Sequence, residues 1–283
     1  MRRSIEYLPF ICGSALAISL LIWGPIHQFS DYHAFADQSN IGAIPHAADV
    51  LSNLGFALVA VWAAWSVRSA QHRSFSGKLP SQLDSLSTAA VRLKQSLFSV
   101  RSVALHVFIF GLFATALGSG YYHWAPDNMR LFWDRLPIVL TCAGLLGAVH
   151  AESVQASRHR HSFFPLVMFV ASGIASVLWW SVTDYDGKGD LRWYLMFQIL
   201  PMLLIPIWHS IYPTPKRTRW LFVIALLTYV VAKAAEMHDH AIYAWSGFLT
   251  GHTLKHLLAS VAAALIAHAL IGKETANIKN NNR

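Results

Sequence analysis

Long apolar stretches alternate with short polar segments along most of the chain. A stretch must hold roughly 17–25 residues to cross about 30 Å of hydrocarbon as a helix. Eight stretches are that long: 8–26, 47–67, 103–122, 131–150, 162–182, 193–211, 220–237 and 252–272. The pattern predicts an all-α, polytopic bundle of membrane helices in which residues 1–283 form a single transmembrane domain.

The first apolar stretch has two interpretations. Arg2 and Arg3 precede it, as the basic segment of a secretory signal peptide would. Its apolar core runs unbroken to Ile26, which is long for a signal peptide. We therefore favour a retained N-terminal transmembrane helix at 8–26.

Composition strengthens the membrane interpretation. Of 283 residues, 55% are apolar and 13% are charged, whereas about a quarter of a soluble domain is charged. The formal net charge of +8 therefore does not indicate a nucleic-acid-binding chain, and the apolar content excludes a disordered one. Cys12 and Cys142 both lie in apolar runs, so no disulfide framework is expected.

The basic residues predict an orientation, because Lys and Arg concentrate on the cytoplasmic side of membrane proteins. With eight crossings, both termini and the 68–102 loop fall on one side and are predicted to be cytoplasmic. That side holds Arg2, Arg3, Arg68, Arg73, Lys78, Arg92, Lys94, Arg101, Arg158, Arg160, Lys216, Arg217, Arg219, Lys273, Lys279 and Arg283.

Polar residues cluster near the opposite, non-cytoplasmic ends of the predicted spans. Ionisable side chains within membrane helices are costly, and they usually face a protein interior or a water cavity. The alternating topology brings five such groups to one side, which predicts a single site. The groups are Asp49, Ser52 and Asn53; Ser119 and His123; Arg130, Asp134 and Arg135; Lys233, Glu236, His238, Asp239 and His240; and His252, Lys255 and His256.

The histidine spacing indicates a metal site. His252 and His256 are four residues apart and therefore share a helix face. The turn signal at 126–128 predicts a tight helical hairpin that brings His123 to a similar depth as Asp134. Three neutral imidazoles suit zinc and leave a fourth position for water.

Two further side chains would complete a hydrolytic site. Asp134 could accept the proton of the attacking water. Ser119, four residues before His123, could steady the water or a developing oxyanion. The residues alone therefore predict a metal hydrolase whose chemistry lies at the membrane boundary.

Each piece also has a structural interpretation. A single histidine near a helix end is more often interfacial than a ligand, and Asp134 could simply pair with Arg130 or Arg135. Asp49, Ser52 and Asn53 could supply hydrogen bonds between helices. For Lys233, Glu236 and Asp239, spaced three residues apart, mutual neutralisation is the favoured interpretation.

The ordered motifs resemble those of alkaline ceramidases, in the superfamily of seven-helix membrane hydrolases that also contains the adiponectin and progestin-type receptors. The resemblance covers 46–272, so the 8–26 helix is an addition to the seven-helix core. The matching segments are Asp49-Val50-Leu51-Ser52-Asn53-Leu54-Gly55-Phe56, Gly118-Ser119-Gly120-Tyr121-Tyr122-His123, Trp133-Asp134-Arg135-Leu136-Pro137 and His252-Thr253-Leu254-Lys255-His256.

The resemblance implies a zinc-dependent amidase. It implies His123, His252 and His256 as zinc ligands, Asp134 as the group that activates the water, and Ser119 as its neighbour. The implied reaction hydrolyses the amide of ceramide or a related N-acyl lipid to a fatty acid and a sphingoid base. The lipid substrate would enter the site from the bilayer.

The resemblance has limits. Alkaline ceramidases of eukaryotes have a calcium-binding segment before the first core helix. Here Asp31 and Asp37 are present, but His46 stands where a carboxylate is expected, which argues against calcium. The 121–137 block resembles bacterial ceramidase-like sequences, so we expect a bacterial inner-membrane protein.

Three other function classes stay open. A receptor or lipid sensor could retain the metal without turnover, although the tail after Ile271 is short. An electron carrier could hold haem between histidines on different helices, but a second well-placed histidine pair is missing. A transporter could relay protons through intramembrane carboxylates.

Overall fold

The computed structural model describes residues 5–76, 99–158, 161–185 and 187–280. Within these ranges the chain is predominantly helical, which confirms the all-α class. A π-helical turn, Ala151–Gln155, continues α5, and β1 (Asn40–Ile41) pairs with β2 (Ile44–Pro45) in a short hairpin. The helices are α1 (Leu8–Trp23), α2 (Ala47–Ser52), α3 (Leu54–Ser76), α4 (Val100–Trp124), α5 (Asn128–His150), α6 (Phe164–Thr183), α7 (Arg192–Ile211), α8 (Lys216–Met237), α9 (Asp239–Ser246) and α10 (Gly251–Asn280).

Among the described residues, seven helical segments are long and apolar enough to cross a membrane, which confirms an integral membrane protein and seven of the eight predicted spans. Helix α1 has 16 residues and is shorter than these seven, so its crossing stays a prediction. Most of the predicted 68–102 loop lies outside the described residues. The seven segments are Ala47–Ala70, Val100–Trp124, Asn128–Gln155, Phe164–Thr183, Arg192–Ile211, Lys216–Met237 and Gly251–Gly272.

The alternating helices give the bundle two ends. We call the end that holds His123, His252 and His256 the histidine end; it contains the last turns of α4, α6 and α8 and the first turns of α5, α7 and α10. We call the other the basic end, because among the described residues it holds Arg101, Arg158, Lys216, Arg217 and Arg219.

Helix α1 extends from the basic end to the histidine end. Glu6, just before α1, pairs with Arg158 at 2.7 Å. Beyond the helix, the Ile26 N–H donates to Asp190, and the Leu191 N–H donates to the Ile26 carbonyl at 2.8 Å. These contacts place α1 beside α7, consistent with its prediction as an added helix.

The predicted hairpin of α4 and α5 is present. Asp127 caps α5 by accepting the Arg130 N–H at 2.7 Å. A Cβ on Gly118 would lie 2.0 Å from the Trp133 carbonyl oxygen, so only glycine allows the two helices to approach this closely. The approach sets Ser119 of α4 against Asp134 of α5.

The start of α10 is held just as closely. A Cβ on Gly251 would lie 2.1 Å from the Ala235 carbonyl oxygen of α8. The His252 N–H donates to the Asp239 carboxylate at 2.7 Å, which satisfies one of the free N–H groups at a helix start. These contacts fix the first turn of α10, where two of the candidate ligands lie.

Candidate metal centre

The three histidines that the sequence singled out meet at the histidine end. His123 comes from the last turn of α4, and His252 and His256 come from the first turns of α10. Their exposed fractions are 1%, 6% and 2%. One ring nitrogen from each lies within 4.8 Å of the other two, which confirms that the group could hold a metal ion.

The spacing of the ring nitrogens suits a tetrahedral ion. Zinc–nitrogen bonds of about 2.0–2.1 Å place two tetrahedral ligands about 3.3 Å apart. The Nε2 atoms of His123 and His252 are 3.1 Å apart. The phenyl ring of Phe35 packs 4.7 Å from the His123 ring and 4.5 Å from the His252 ring, centroid to centroid, so it closes one side of the cluster with an apolar surface.

His256 has the hydrogen bonding of a metal ligand. The Ser52 hydroxyl donates to the Asp49 carbonyl at 2.9 Å, so its oxygen accepts from Nδ1 of His256 at 2.8 Å. Protonation at Nδ1 leaves Nε2 with a free lone pair, and this buried Nε2 has no hydrogen-bond partner among the described residues. A hydrogen bond from the second ring nitrogen is the usual support of a ligating histidine.

Asp134 and Ser119 lie beside the cluster. The Ser119 hydroxyl interacts with the Asp134 carboxyl group, and both residues line the same cavity as His252 and His256. One carboxylate oxygen of Asp134, Oδ1, is buried without a hydrogen-bond partner in the described part of the chain. A carboxylate placed in this way can accept a proton from water at the cluster.

Asp134 does not form the ion pair with Arg130 or Arg135 that the structural interpretation offered. Arg130 pairs with Asp127 at the start of α5. Arg135 instead lies against aromatic rings and donates to Gln28 at 2.9 Å. Asp134 therefore stays available to the site.

A lysine reaches the candidate ligands from α10. The Lys255 ammonium donates to the Glu236 carboxylate at 3.0 Å and to Nε2 of His252 at 2.9 Å. This Nε2 faces His123 and is the atom that would bind a metal, so an ion at this position displaces the lysine hydrogen bond. The mutual neutralisation expected for Lys233, Glu236 and Asp239 is found for Lys233 and Glu236.

Asp239 does not join this ion pair. Its carboxylate accepts the backbone N–H groups of Ala36 and His252. His238 and His240, predicted in the same group, bond the backbone carbonyls of Ala234 and Ala34. Neither belongs to the metal cluster.

The segment before the first core helix is organised by backbone hydrogen bonds. The Asp37 carboxylate accepts the N–H groups of Ser39 and Asp49, each at 2.9 Å. His46, where the resemblance expects a carboxylate, contacts the Asp37 carbonyl through Nδ1 at 2.5 Å. Asp31 is exposed and lines the cavity.

Hydrogen bonds between helices, one of the structural interpretations, are found at Asp49. Its Oδ1 accepts from Thr253 at 2.6 Å and from Thr250 at 3.2 Å. Asn53 donates instead to the Asp49 carbonyl at 2.8 Å. These bonds join α2 to the start of α10, the two segments that also carry Ser52 and His256.

A cavity of about 1060 Å³ opens from the histidine cluster into the bundle. Its lining is mainly apolar away from the cluster, with Phe108, Leu145 and Ile266 among the lining residues. On α8 the lining runs from Arg219 near the basic end to Glu236. The 17 steps between these two residues rise about 26 Å along a helix, nearly the thickness of a membrane's hydrocarbon core.

The sequence did not single out Phe35, and it predicted Ser52 and Lys255 near the site without predicting their contacts. Phe35 lies in the loop before β1, and its contact with two histidines has no local sequence signal. The Ser52–His256 bond joins residues 204 positions apart; only the order of the ceramidase-like motifs hinted at it. A contact of Lys255 with the site could be expected from its position between the two histidines. Its hydrogen bond to Nε2 of His252 could not.

Comparisons with protein-family models, curated proteins and solved structures found no match to this chain. The fold and the cluster themselves define the class: a polytopic α-helical membrane protein with a buried group of three histidines able to hold a metal ion.

Proposed function

We propose that the protein is a zinc-dependent intramembrane hydrolase that cleaves the amide of ceramide or a related N-acyl lipid. One observation carries this proposal: three buried imidazoles, with Asp134 beside them, sit at the mouth of a long apolar cavity. The ordered motifs that resemble alkaline ceramidases support the same reaction.

The donor set fits zinc. Neutral imidazole nitrogens suit zinc better than calcium or magnesium, which prefer oxygen ligands. Held by His123, His252 and His256, zinc would polarise the amide carbonyl and lower the pKa of water to about 7.

Asp134 moves the proton. It accepts a proton from the attacking water as the bond between the water oxygen and the carbonyl carbon forms. It then gives this proton to the amide nitrogen as the carbon–nitrogen bond breaks, which releases a fatty acid and an amine. The Ser119 hydroxyl holds the Asp134 carboxyl group in place.

The cavity selects a lipid. Its depth of about 26 Å on α8 accommodates an extended acyl chain, and its lining away from the histidine end is mainly apolar. The scissile amide would then lie at the cluster with its acyl chain pointing toward the basic end.

The orientation follows from the distribution of charge. The basic end carries the arginines and lysines that mark a cytoplasmic face, so we place both termini in the cytoplasm and the histidine end on the outer face. In a bacterium this corresponds to the inner membrane. Cysteine labelling from outside the cell at position 245, against position 217 at the basic end, tests the orientation.

The test of function is product analysis. Purified protein is incubated with C16 ceramide and with mixed membrane lipids, with and without a zinc chelator, and products are identified by mass spectrometry. We expect fatty acid and free amine that disappear with chelator and return with zinc. Hydrolysis unaffected by chelation contradicts the mechanism, and lipid binding without turnover supports the lipid-sensing alternative.

A further inference from the structure

Arg135 is a buried cation that the proposed reaction does not use. It follows Asp134 in α5, its exposed fraction is 1%, and it lines the same cavity. A guanidinium inside a membrane helix is costly and usually marks a functional partner. Its surroundings therefore indicate what it binds.

Aromatic faces hold the Arg135 guanidinium in position. Its central carbon lies 4.0 Å from the Trp180 ring centroid, 5.0 Å from that of Tyr194 and 5.3 Å from that of Tyr32. Contacts with ring faces fix the group while leaving its in-plane N–H donors for hydrogen bonding. One of these donors reaches the Gln28 side-chain oxygen at 2.9 Å.

The other donors are unsatisfied. Nε and Nη1 of Arg135 are buried and have no hydrogen-bond partner among the described residues. Leaving buried charged donors unpaired is expensive. A carboxylate or another oxyanion satisfies them best, because guanidinium and oxyanions form strong charge-assisted hydrogen bonds.

Asp134 is near enough for its charge to interact with that of Arg135, but among the described residues the two form no ion pair. Three other carboxylates of this end pair with other cations. Asp127 pairs with Arg130, Asp190 with Arg192, and Glu236 with both Lys233 and Lys255. Arg135 therefore faces the cavity as a positioned cation whose partner comes from the cavity itself.

We propose that Arg135 binds the anionic group of an acyl lipid in the cavity. This inference rests on the proposed function only in taking the ligand to be an acyl lipid. The anion could be a head group of the intact lipid or the carboxylate of the acid product, and the probes below separate these two sources.

The experiment measures binding of three C16 probes to the full-length protein in detergent. The probes are N-palmitoylglycine and palmitate, which carry a carboxylate, and N-palmitoylethanolamide, which is neutral. Each is titrated with and without chelator, so that a carboxylate held only by metal is recognised by its loss. Hydrolysis plays no part in the chelated arm, so failure of the proposed function leaves this result interpretable.

We expect N-palmitoylglycine to bind at least about tenfold more tightly than the ethanolamide with chelator present, as one charge-assisted hydrogen bond would give. Arg135→Gln should abolish this difference, Arg135→Lys should retain part of it, and Arg130→Gln, whose arginine pairs outside the cavity, should leave it intact. Palmitate bound as tightly as N-palmitoylglycine assigns the site to the product; weaker binding assigns it to a head group.

Equal binding of the acid and the neutral probe to the unmodified protein overturns the proposal, as does failure of all three probes to bind. A preference that survives in a folded Arg135→Gln protein overturns it as well. The comparison on the unmodified protein needs no variant, so a poorly folding substitution does not affect it.

Discussion

The two ends of the bundle use charge in opposite ways. At the histidine end, His123, His256 and Asp134 are buried, and their partners are other side chains of the site or backbone groups. At the basic end, Arg158 is about half exposed and pairs with Glu6 across the surface. Arg101 is the exception at this end, because it forms a largely buried ion pair with the Glu152 side chain.

This difference distinguishes polar groups that indicate function from charged groups that indicate orientation. Polar groups buried in a membrane bundle are expensive, so a cluster of them indicates function. Cations at the surface of the basic end cost little and report orientation instead. Matched substitutions at the two ends test that distinction.

Removing a ligand should have the largest effect. His256→Ala should lose bound zinc and lower the rate of amide hydrolysis by about 10⁴-fold or more, because the ion that activates water is lost. His268→Ala, on the same helix at the basic end, should keep both. Zinc content by mass spectrometry and a rate assay measure these effects. Equal zinc content in the two variants would contradict the assignment of His256 as a ligand.

Removing the proton acceptor should come next. Asp134→Asn should lower kcat by about 10²–10⁴-fold while zinc content is retained. Glu152→Gln, a buried carboxylate at the basic end, should lower stability but leave kcat of the folded protein unchanged. A similar loss of kcat in both variants would show that Asp134 acts only through folding.

Ser52 should tune affinity for the metal. Ser52→Ala removes the acceptor of the His256 Nδ1 proton, so zinc affinity should fall about 10–100-fold. Ser260→Ala, whose hydroxyl donates only to the His256 backbone carbonyl, should have little effect. Competition with a fluorescent zinc chelator measures both, and unchanged affinity in Ser52→Ala would remove this support for His256 as a ligand.

Lys255 should lower the affinity of the site for zinc. Lys255→Met removes a cation that hydrogen-bonds Nε2 of His252, so zinc affinity should rise about tenfold. Lys233→Met removes a charge that pairs with Glu236 and acts on His252 only through its electrostatic field, so its effect should be smaller. Weaker zinc binding in Lys255→Met than in Lys233→Met would contradict this role.

The smallest effect concerns stability. Burial alone would raise the pKa of Asp190, but hydrogen bonds from Arg192, Trp179 and the Ile26 N–H outweigh burial and hold this pKa at about 2. Because the unfolded value is about 3.9, the carboxylate stabilises the fold above that pH, and the stabilisation is lost as pH falls toward 2.

Asp190→Asn should therefore lower the free energy of unfolding by about 2 kcal/mol at pH 7, with a smaller difference from the unmodified protein near pH 2. Unfolding in detergent at both pH values measures the change. Asp31→Asn, at an exposed carboxylate, serves as the control. A difference that stays constant between the two pH values would contradict the assigned pKa.

The bundle and the histidine cluster were predictable because both depend on local spacing. Long apolar runs give the spans, and four-residue spacing puts His252 and His256 on one face. Alternating topology then brings His123 to the same end. The turn at 126–128 and the four-residue spacing of Ser119 and His123 added Asp134 and Ser119 as partners, and the ceramidase-like motif order implied the same two residues.

The contacts that position Arg135 and Lys255 were not predictable. The aromatic cage of Arg135 draws Tyr32, Trp180 and Tyr194 from three parts of the chain, and no periodic signal links them. The contact of the Lys255 ammonium with His252 depends on how α8 and α10 pack at Gly251. Such details follow from close approach of helices, which apolar periodicity alone does not specify.

Zinc K-edge X-ray absorption on the purified, full-length protein tests the central claim most directly. It should show one zinc with three imidazole nitrogens at about 2.0–2.1 Å and one lighter oxygen ligand, and His256→Ala should lose one of the nitrogens or the ion. Protein that binds no zinc, or zinc whose spectrum lacks imidazole scattering, would contradict the account.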